Sequence, residues 1–360
     1  MDELAELVRG SSGDGATVRP RGAGSKWTWG AVAPEPDLVV DLSDLDAVVE
    51  HAVGDLVLTV HAGARLRDVQ QLTSAAGQRL ALDPPEADAT IGGIVATAAS
   101  GPRRLRFGTP RDLLLGVTVV LADGTVARSG GKVVKNVAGY DLGKLFAGSF
   151  GTLGVIATCT FRLHPAAAAR RVVTVEADDP SELARALAGS TVTPTAVEWD
   201  GQAVHVLVES SAAAADAQAA AVRDLAGGGT VTDVLPDGFG ARPWRSGEVA
   251  LKLTHRLSAL QPVLATVRRL LPSATLAAQV GSGVVWAGCA ATHEVPAAVE
   301  ELRAALAPYD GSAVVVDAPA EVKQRLDVWG PVRGLPVMRR IKEQFDPDGR
   351  MSPGVFVGGI

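Results

Sequence analysis

RPRGAGSKWTWG, residues 19–30, begins like the glycine fingerprint of a dinucleotide-binding βαβ unit and then departs from it. Gly22 and Gly24 fill the first two fingerprint positions, but the third falls on Trp27. The following AVAPEP carries Pro34 and Pro36 and cannot open a helix, because proline lacks the amide hydrogen and crowds the preceding turn. The context excludes a Rossmann unit. What remains is a tight glycine turn of exposed backbone N–H groups. Such a turn can hold a pyrophosphate as an anion nest with no helix behind it, with Arg21 and Lys26 adding charge. On this motif alone, a plain surface turn is an equal alternative.

Two more glycine segments lie downstream. In DPPEADATIGGIVATAASGPRRLRFGTPRD (83–112), Pro84-Pro85 fixes a rigid extended approach and Gly92-Gly93 permits a flat ligand to come close to the backbone. The small residues of IVATAAS would line a ring without crowding it. Arg103, Arg104, Arg106 and Arg111 form a basic cluster, at least two of which read as a solvated face. The third segment, KNVAGYDLGKLFAGSFGTLGVI (135–156), spaces Gly143, Gly148, Gly151 and Gly154 closely. A single glycine string is weak evidence. Three along one domain fit one extended ligand approached by several backbone loops.

The 360 residues point to two domains, and 47% apolar residues supply real cores. The charged fraction of 21% is too low for a disordered chain, and a net charge of −6 offers no footprint for nucleic acid. MDELAELVRG lacks the basic start and apolar centre of a signal peptide, and no apolar run reaches the length of a membrane span. The expected location is cytoplasmic, with peripheral association at the inner membrane through partners as the alternative. The two cysteines, Cys159 and Cys289, sit in apolar strand-like runs and read as buried small hydrophobes. Two thiols are too few for an iron–sulfur cluster, which usually takes four, so any cluster would belong to a partner.

Along the chain, residues 16–20, 37–42, 55–63 and 153–163 read as strands. Residues 113–127 read as a strand pair turning at Asp123-Gly124. Ser43, with Asp46 three residues on, predicts a capped helix over SDLDAVVEHAV. LRDVQQLTSAAG predicts an amphipathic helix stopped at Gly77. After His164-Pro165 the pattern becomes β-α-β-β-α-β twice, over about 172–234 and 248–317, the ferredoxin-like order. The tail predicts a short helix, a stop at Asp346-Pro347 and a Pro-Gly turn.

The order of PRGAGSKW, TIGG, RFGTPRD, LADGTVARSGGKVVKNVAGYDLGKLFAGSFGTLGVI and FDPDGRMSPG resembles the FAD-binding family of the vanillyl-alcohol oxidase (PCMH) type. Within it, the chain is most similar to the smaller flavin subunits of glycolate oxidase-type complexes. The resemblance covers essentially the whole chain. It implies an α+β fold without a Rossmann unit: a PCMH-type FAD-binding domain of two α+β subdomains over 1–166, a cap of two ferredoxin-like units over 167–325, and a C-terminal segment, 326–360, returning to the FAD domain. By position, Arg21, Gly22, Ala23, Gly24 and Ser25 would wrap the pyrophosphate. Thr90, Ile91, Gly92 and Gly93 would meet the phosphate or ribitol region, with Pro85 also a cofactor-binding candidate, Thr97, Ser100 and Gly101 would pass beside the flavin, and Gly151, Gly154, Val155 and Ile156 would contact the cofactor through backbone. The loop at 19–30 has no His or Cys, so the FAD is expected to be non-covalent.

The larger 2-hydroxy-acid dehydrogenases of this superfamily carry a motif resembling H-x-G-D-G-N-L-H whose histidines hold a metal. The matching stretch here, QVGSGVVW (279–286), has Gln279 and Trp286 in those places and Ser282 for the acid, so no metal site is expected. Oxidation of a 2-hydroxy acid needs a base for the hydroxyl proton and a cation for the carboxylate. Lys135 and Tyr140 are the polar candidates near a flavin, with ordinary loop hydrogen bonding as the competing reading. The resemblance implies a flavoprotein component supporting oxidation of small 2-hydroxy acids such as glycolate or D-lactate, with a catalytic flavin subunit and an iron–sulfur subunit as partners. A stand-alone FAD-dependent dehydrogenase or oxidase is the alternative.

Overall fold

The computed structural model describes residues 1–13, 15–86, 88–131 and 141–360; Lys135 and Tyr140 lie outside them. The chain forms two units. The first comprises Met1–Ser100, Gly108–Ala166 and Pro331–Ile360, and the second Gly101–Phe107 with Ala167–Gly330.

In the first unit, β1 (Val18–Arg21) runs parallel to β2 (Leu38–Asp41), with Arg21 opposite Asp41. Next come β3 (Val48–Ala52), β4 (Val57–His61), the two-residue β5 (Gln78–Arg79), β6 (Leu114–Val120), β7 (Val126–Gly130), β8 (Val155–Arg162) and β9 (His164–Pro165). Five of them make an antiparallel sheet in the order β3-β4-β8-β6-β7. The alternation in β8 puts Val155, Ala157, Cys159 and Phe161 into the core at 0% exposure, as period-2 side-chain geometry requires. β6 and β7 join through a turn at Gly124, which takes a positive φ of 80°. Helix Leu66–Ala75 buries Leu66, Val69 and Thr73, and Gly77 after it is left-handed.

The helix expected after Ser43 does not form. Leu45, Val48, Val49 and Ala52 stand at helical spacing, but residues 48–52 are the edge strand β3, paired with β4. Ser43 donates from its amide and hydroxyl back to Asp41 Oδ1 at 2.9 and 2.6 Å, a local turn that competes with helix capping. Once that turn reverses the chain, the β-branched pair Val48-Val49 meets the open edge of β4, and strand pairing overrides the helical period. A helix that the sequence reading did not draw, Ile91–Thr97, follows Thr90.

The second unit holds one eight-stranded sheet. Its strands are β10 (Ala169–Glu176), β11 (Ala196–Trp199), β12 (Ala203–Ser210), β13 (Thr230–Thr232), β14 (Val249–Thr254), β15 (Thr275–Gln279), β16 (Val284–Cys289) and β17 (Ser312–Asp317). The order is β13-β10-β12-β11-β15-β16-β14-β17. Each half therefore has the ferredoxin arrangement, with its fourth strand beside its first and its third between first and second. The halves meet antiparallel at Glu198 opposite Gln279 and Trp199 opposite Ala278. Helices Ser181–Ala188, Ala212–Ala226, Leu260–Leu270 and Val295–Leu306 complete the two repeats. Ser211 caps the second of these through Ala214 N, and left-handed Gly227 ends it.

The register places Thr174, His205, Glu198, Gln279, Val284, Thr254 and Ser312 directly opposite one another across seven strands. Opposed residues share a face, so this row and the next one along (Ala277, Trp286, Lys252, Val314) lie on one side of the sheet.

Candidate functional site

A cleft in the first unit opens at the end of β1. It is lined by the loop Gly22–Trp27, by Thr90, Gly92, Ala96 and Thr97 of the segment around helix Ile91–Thr97, by Phe150, Gly151, Gly154 and Ile156, and by Arg19, Pro20, Trp29, Leu42 and Val355.

The loop is shaped for close approach. A Cβ on Gly22 would collide with the Thr90 hydroxyl, and Gly24 sits at a φ of 73°. Thr90 accepts from Gly93 N at 3.4 Å and caps helix Ile91–Thr97. Gly92 packs on Ala62: its amide donates to Ala62 O at 2.7 Å, and a Cβ there would lie 2.7 Å from Ala62 Cβ. Glycines 22 and 92 thus bring the loop, the helix start and the end of β4 at Ala62 together at distances that side chains would prevent.

The charges around the loop are sorted by their partners. Arg21 turns to the neighbouring strand and pairs with Asp41 at 2.7 Å, outside the residues lining the cleft. The Ser43 hydroxyl, with Arg21 second, holds the Asp41 carboxyl down to about 2. Arg19 donates to Trp27 O at 2.6 Å with its guanidinium 4.0 Å over the Trp27 ring, and burial lowers its pKa. Lys26 lies buried in the cleft wall, its ammonium 3.3 Å from Ser25 Oγ, 3.7 Å from Glu86 and 5.8 Å from the Trp29 ring. Lys26 rather than Arg21 is the loop's own cation at the cleft.

The third glycine segment closes the opposite wall. Gly148 N donates to Val95 O at 2.9 Å and Phe150 N to Ala96 O at 2.8 Å, which seats the loop on helix Ile91–Thr97. Phe150 is held at a left-handed φ of 55°, with Gly151 at 75° after it. Its ring stacks on Phe356 with centroids 5.4 Å apart. Gly154 takes a φ of 146°, and a Cβ there would lie 2.8 Å from Val120 O. Ser149 Oγ and Ser352 Oγ are buried with no hydrogen-bond partner among the described residues.

The C-terminal segment is tied beneath this wall. Lys342 Nζ donates to Thr152 O, Met351 O and Asp346 Oδ2 at 2.8, 2.8 and 2.6 Å. Arg350 donates to Ala16 O, Ala122 O and Ser11 Oγ, and Ser352 N to Val18 O at 2.8 Å.

Of the residues singled out from sequence, Gly22, Ala23, Gly24, Ser25, Thr90, Gly92, Thr97, Gly151, Gly154 and Ile156 come together in this cleft. Ile91 and Val155 are core at 0% exposure, Arg21 faces Asp41, and Pro85, Gly93 and Ser100 are not among its lining. Gly101 groups with the second unit. Arg19, Trp29, Leu42, Ala96, Phe150 and Val355 were missed. Leu42 and Ala96 carried no local signal, since their place follows from strand pairing and from the unforeseen helix.

The arrangement fits a dinucleotide whose pyrophosphate takes backbone N–H groups from the Gly22–Ser25 loop. Apolar Leu42, Ala96, Ile156 and Val355 with aromatic Trp27, Trp29 and Phe150 provide flat surface, and among the described residues the cleft lining has no His or Cys to bond a flavin covalently.

Comparison with known proteins agrees. Residues 1–130 match the family model described as FAD binding domain. Over 164 residues the chain is 35% identical to glycolate oxidase subunit GlcE of Escherichia coli, covering 45% of this chain and 46% of that one. Over 215 residues it is 29% identical to glycolate oxidase subunit GlcD of Bacillus subtilis, covering 59% and 46%. A D-lactate dehydrogenase of Archaeoglobus fulgidus is 34% identical over 164 residues, covering 46% and 37%. In each case the match spans less than half of the relative's own length. The fold is that of alkyldihydroxyacetonephosphate synthase, with a TM-score of 0.69 at 16% identity over 98% of this chain and 74% of that chain. The chain thus has an α+β fold of the PCMH type, and its residues 1–130 match an FAD-binding domain.

Proposed function

We propose that this chain is the FAD-binding flavoprotein component of a glycolate oxidase-type complex that oxidises small 2-hydroxy acids. The observation that carries the reading is the cleft where Gly22, Thr90 and Gly92 bring loop, helix start and sheet into contact. In this reading FAD, when bound, supplies the hydride acceptor. The Gly22–Ser25 amides hold its pyrophosphate, with Lys26 adding positive charge. Gly151, Gly154 and Ile156 approach it through backbone, and Phe150 and Val355 exclude water from that wall.

Similarity to the glycolate oxidase subunits of two organisms supports membership in a complex. So does the cysteine count. Both thiols are buried, with Cys159 pushed up to about 12 and Cys289 to about 11 by burial, and neither is poised as a thiolate ligand. Among the described residues, no group of three or more His, Cys, Asp or Glu could hold a metal, and no helix is long and apolar enough to cross a membrane. An electron relay through an iron–sulfur partner and a cytoplasmic site, reached from the membrane only through partners, follow from this reading.

The test is anaerobic mixing of the flavin-loaded chain with glycolate or D-lactate, followed by addition of the co-purifying partners. Slow or absent flavin bleaching by the chain alone, with rapid bleaching in the complex, supports the reading. Rapid bleaching by the isolated chain would make it a stand-alone dehydrogenase.

A further inference from the structure

Two helices of the first unit carry outward faces of opposite charge. Helix Asp2–Gly10 buries Ala5 and Val8. Its outward side shows Asp2, Glu3 and Glu6, with Leu7 47% exposed among them. The base of this helix, Arg9, turns inward and donates to Gly124 O at 3.2 Å. Glu3 and Leu7 are four residues apart, so they stand one above the other on a single face.

Helix Leu335–Phe345 has the reverse pattern. Lys342 is buried on Asp346, and Arg339 donates to Gly358 O at 3.3 Å. Phe345 packs edge-on against Phe146, with ring centroids 5.7 Å apart. The face left outward carries Val337, 49% exposed, with exposed Arg340 three residues on. Exposed Val332 and Arg333, in the turn before the helix, extend it, and Glu343 lies a turn beyond Arg340.

One residue ties the two helices to a common corner. Arg350 Nη2 donates to Ser11 Oγ at 2.7 Å, just past the end of the first helix. Its amide donates to Asp346 Oδ1 at 3.0 Å, just past the end of the second. Each copy of the chain therefore offers an acidic face with a leucine and a basic face with valines from the same corner. The two faces are complementary to each other. Laid antiparallel, Leu7 of one copy meets Val337 of another. Glu3, one turn before Leu7, then meets Arg340, one turn after Val337. A two-fold axis makes this contact twice and closes the pair. An unrelated acidic partner would use only the basic face and leave Glu3 and Leu7 uncovered, so self-pairing accounts for more of the surface.

We infer that the chain pairs with a second copy of itself, helix Asp2–Gly10 of each lying on helix Leu335–Phe345 of the other. The contact is small and its charges are solvated, so the pair is reversible and salt-sensitive. It uses none of the residues that line the cleft and stands apart from the function proposed above.

Sedimentation velocity on the flavin-loaded chain, over a range of protein concentrations at low salt, reads the pairing directly. Monomer should give way to dimer as concentration rises, and salt at about 0.5 M should return it to monomer. Glu3→Arg with Glu6→Arg should weaken pairing at least about tenfold, and so should Arg333→Glu with Arg340→Glu. Mixing the two double variants puts opposite charges at both contacts, so a mixed dimer should form where neither variant pairs alone. Flavin content should match wild type in both, which separates lost pairing from lost folding. A chain that stays monomeric at every concentration, a dimer unmoved by either double variant, or a mixture that remains monomeric would each overturn the inference. Capture of an acidic partner through Arg333 and Arg340, by a chain that does not self-associate, would also overturn it and assign the basic face to that partner.

Discussion

Gly22 leaves the space that the Thr90 hydroxyl occupies, so the glycine loop and the start of helix Ile91–Thr97 meet without a side chain between them. This contact explains why residues far apart in sequence form one cleft. The loop is positioned by helix Ile91–Thr97, and that helix by Gly92 on Ala62 of the sheet domain.

Gly22→Ala would place a methyl against Thr90 and push the loop off the helix. FAD affinity should fall by an order of magnitude or more, measured by flavin fluorescence titration. The rest of the fold should hold, with a stability loss of about 1–3 kcal/mol, the range for overpacking.

The Lys342–Asp346 pair anchors the tail beneath the glycine wall, with all three ammonium donors used inside the protein. Asp346 is 1% exposed, so Lys342→Met would leave a buried carboxylate without its cation. The expected cost is about 3–5 kcal/mol in urea unfolding. Lys342→Met combined with Asp346→Leu should recover part of it, because removing both charges relieves the orphaned one.

Asp41 gives a pH signature. Its folded pKa of about 2 lies below the ordinary 3.8, so its stabilising contribution is present above 3.8 and fades as pH falls toward 2. Wild-type and Asp41→Asn chains should differ in Tm at pH 6 and converge near pH 2. Both Asp41 and Arg21 are about half exposed, so the difference should be small and shrink with added salt.

Cys159 and Cys289 are 0% and 5% exposed with raised pKa values. Neither should react with iodoacetamide in the native chain at pH 8, and both should react in guanidinium, as mass spectrometry would count. Labelling of either thiol in the native chain would contradict their burial.

Most of the fold was legible in the sequence because its signals are local. Asp123-Gly124 and Gly77 mark a turn and a helix end through backbone conformations that few other residues adopt, and both β-α-β-β-α-β repeats follow from the alternation of apolar strand and helix patterns. The failure at 43–53 has a definite cause: the spacing of Leu45, Val48, Val49 and Ala52 fits a helix, and only the open edge of β4 decides for a strand. The glycine segments exposed much of the cleft, since close approach selects glycine wherever it occurs. The sorting of charges did not show in sequence. Arg21 leaves the cleft for Asp41, a partner set by the parallel register of β1 and β2, and Lys26 takes its place. Nor could sequence show that Lys252 and Trp286, 34 positions apart in the numbering, lie side by side on one face of a sheet.

The most direct test of the central claim is a titration of the flavin-free chain with FAD, repeated with ADP as competitor and with riboflavin alone. The expected results are saturable binding of one FAD per chain, displacement by ADP through the shared pyrophosphate, much weaker binding of riboflavin, and loss of affinity in Gly22→Ala. Riboflavin binding as tight as FAD, or a Gly22→Ala chain that binds FAD like wild type, would contradict the claim.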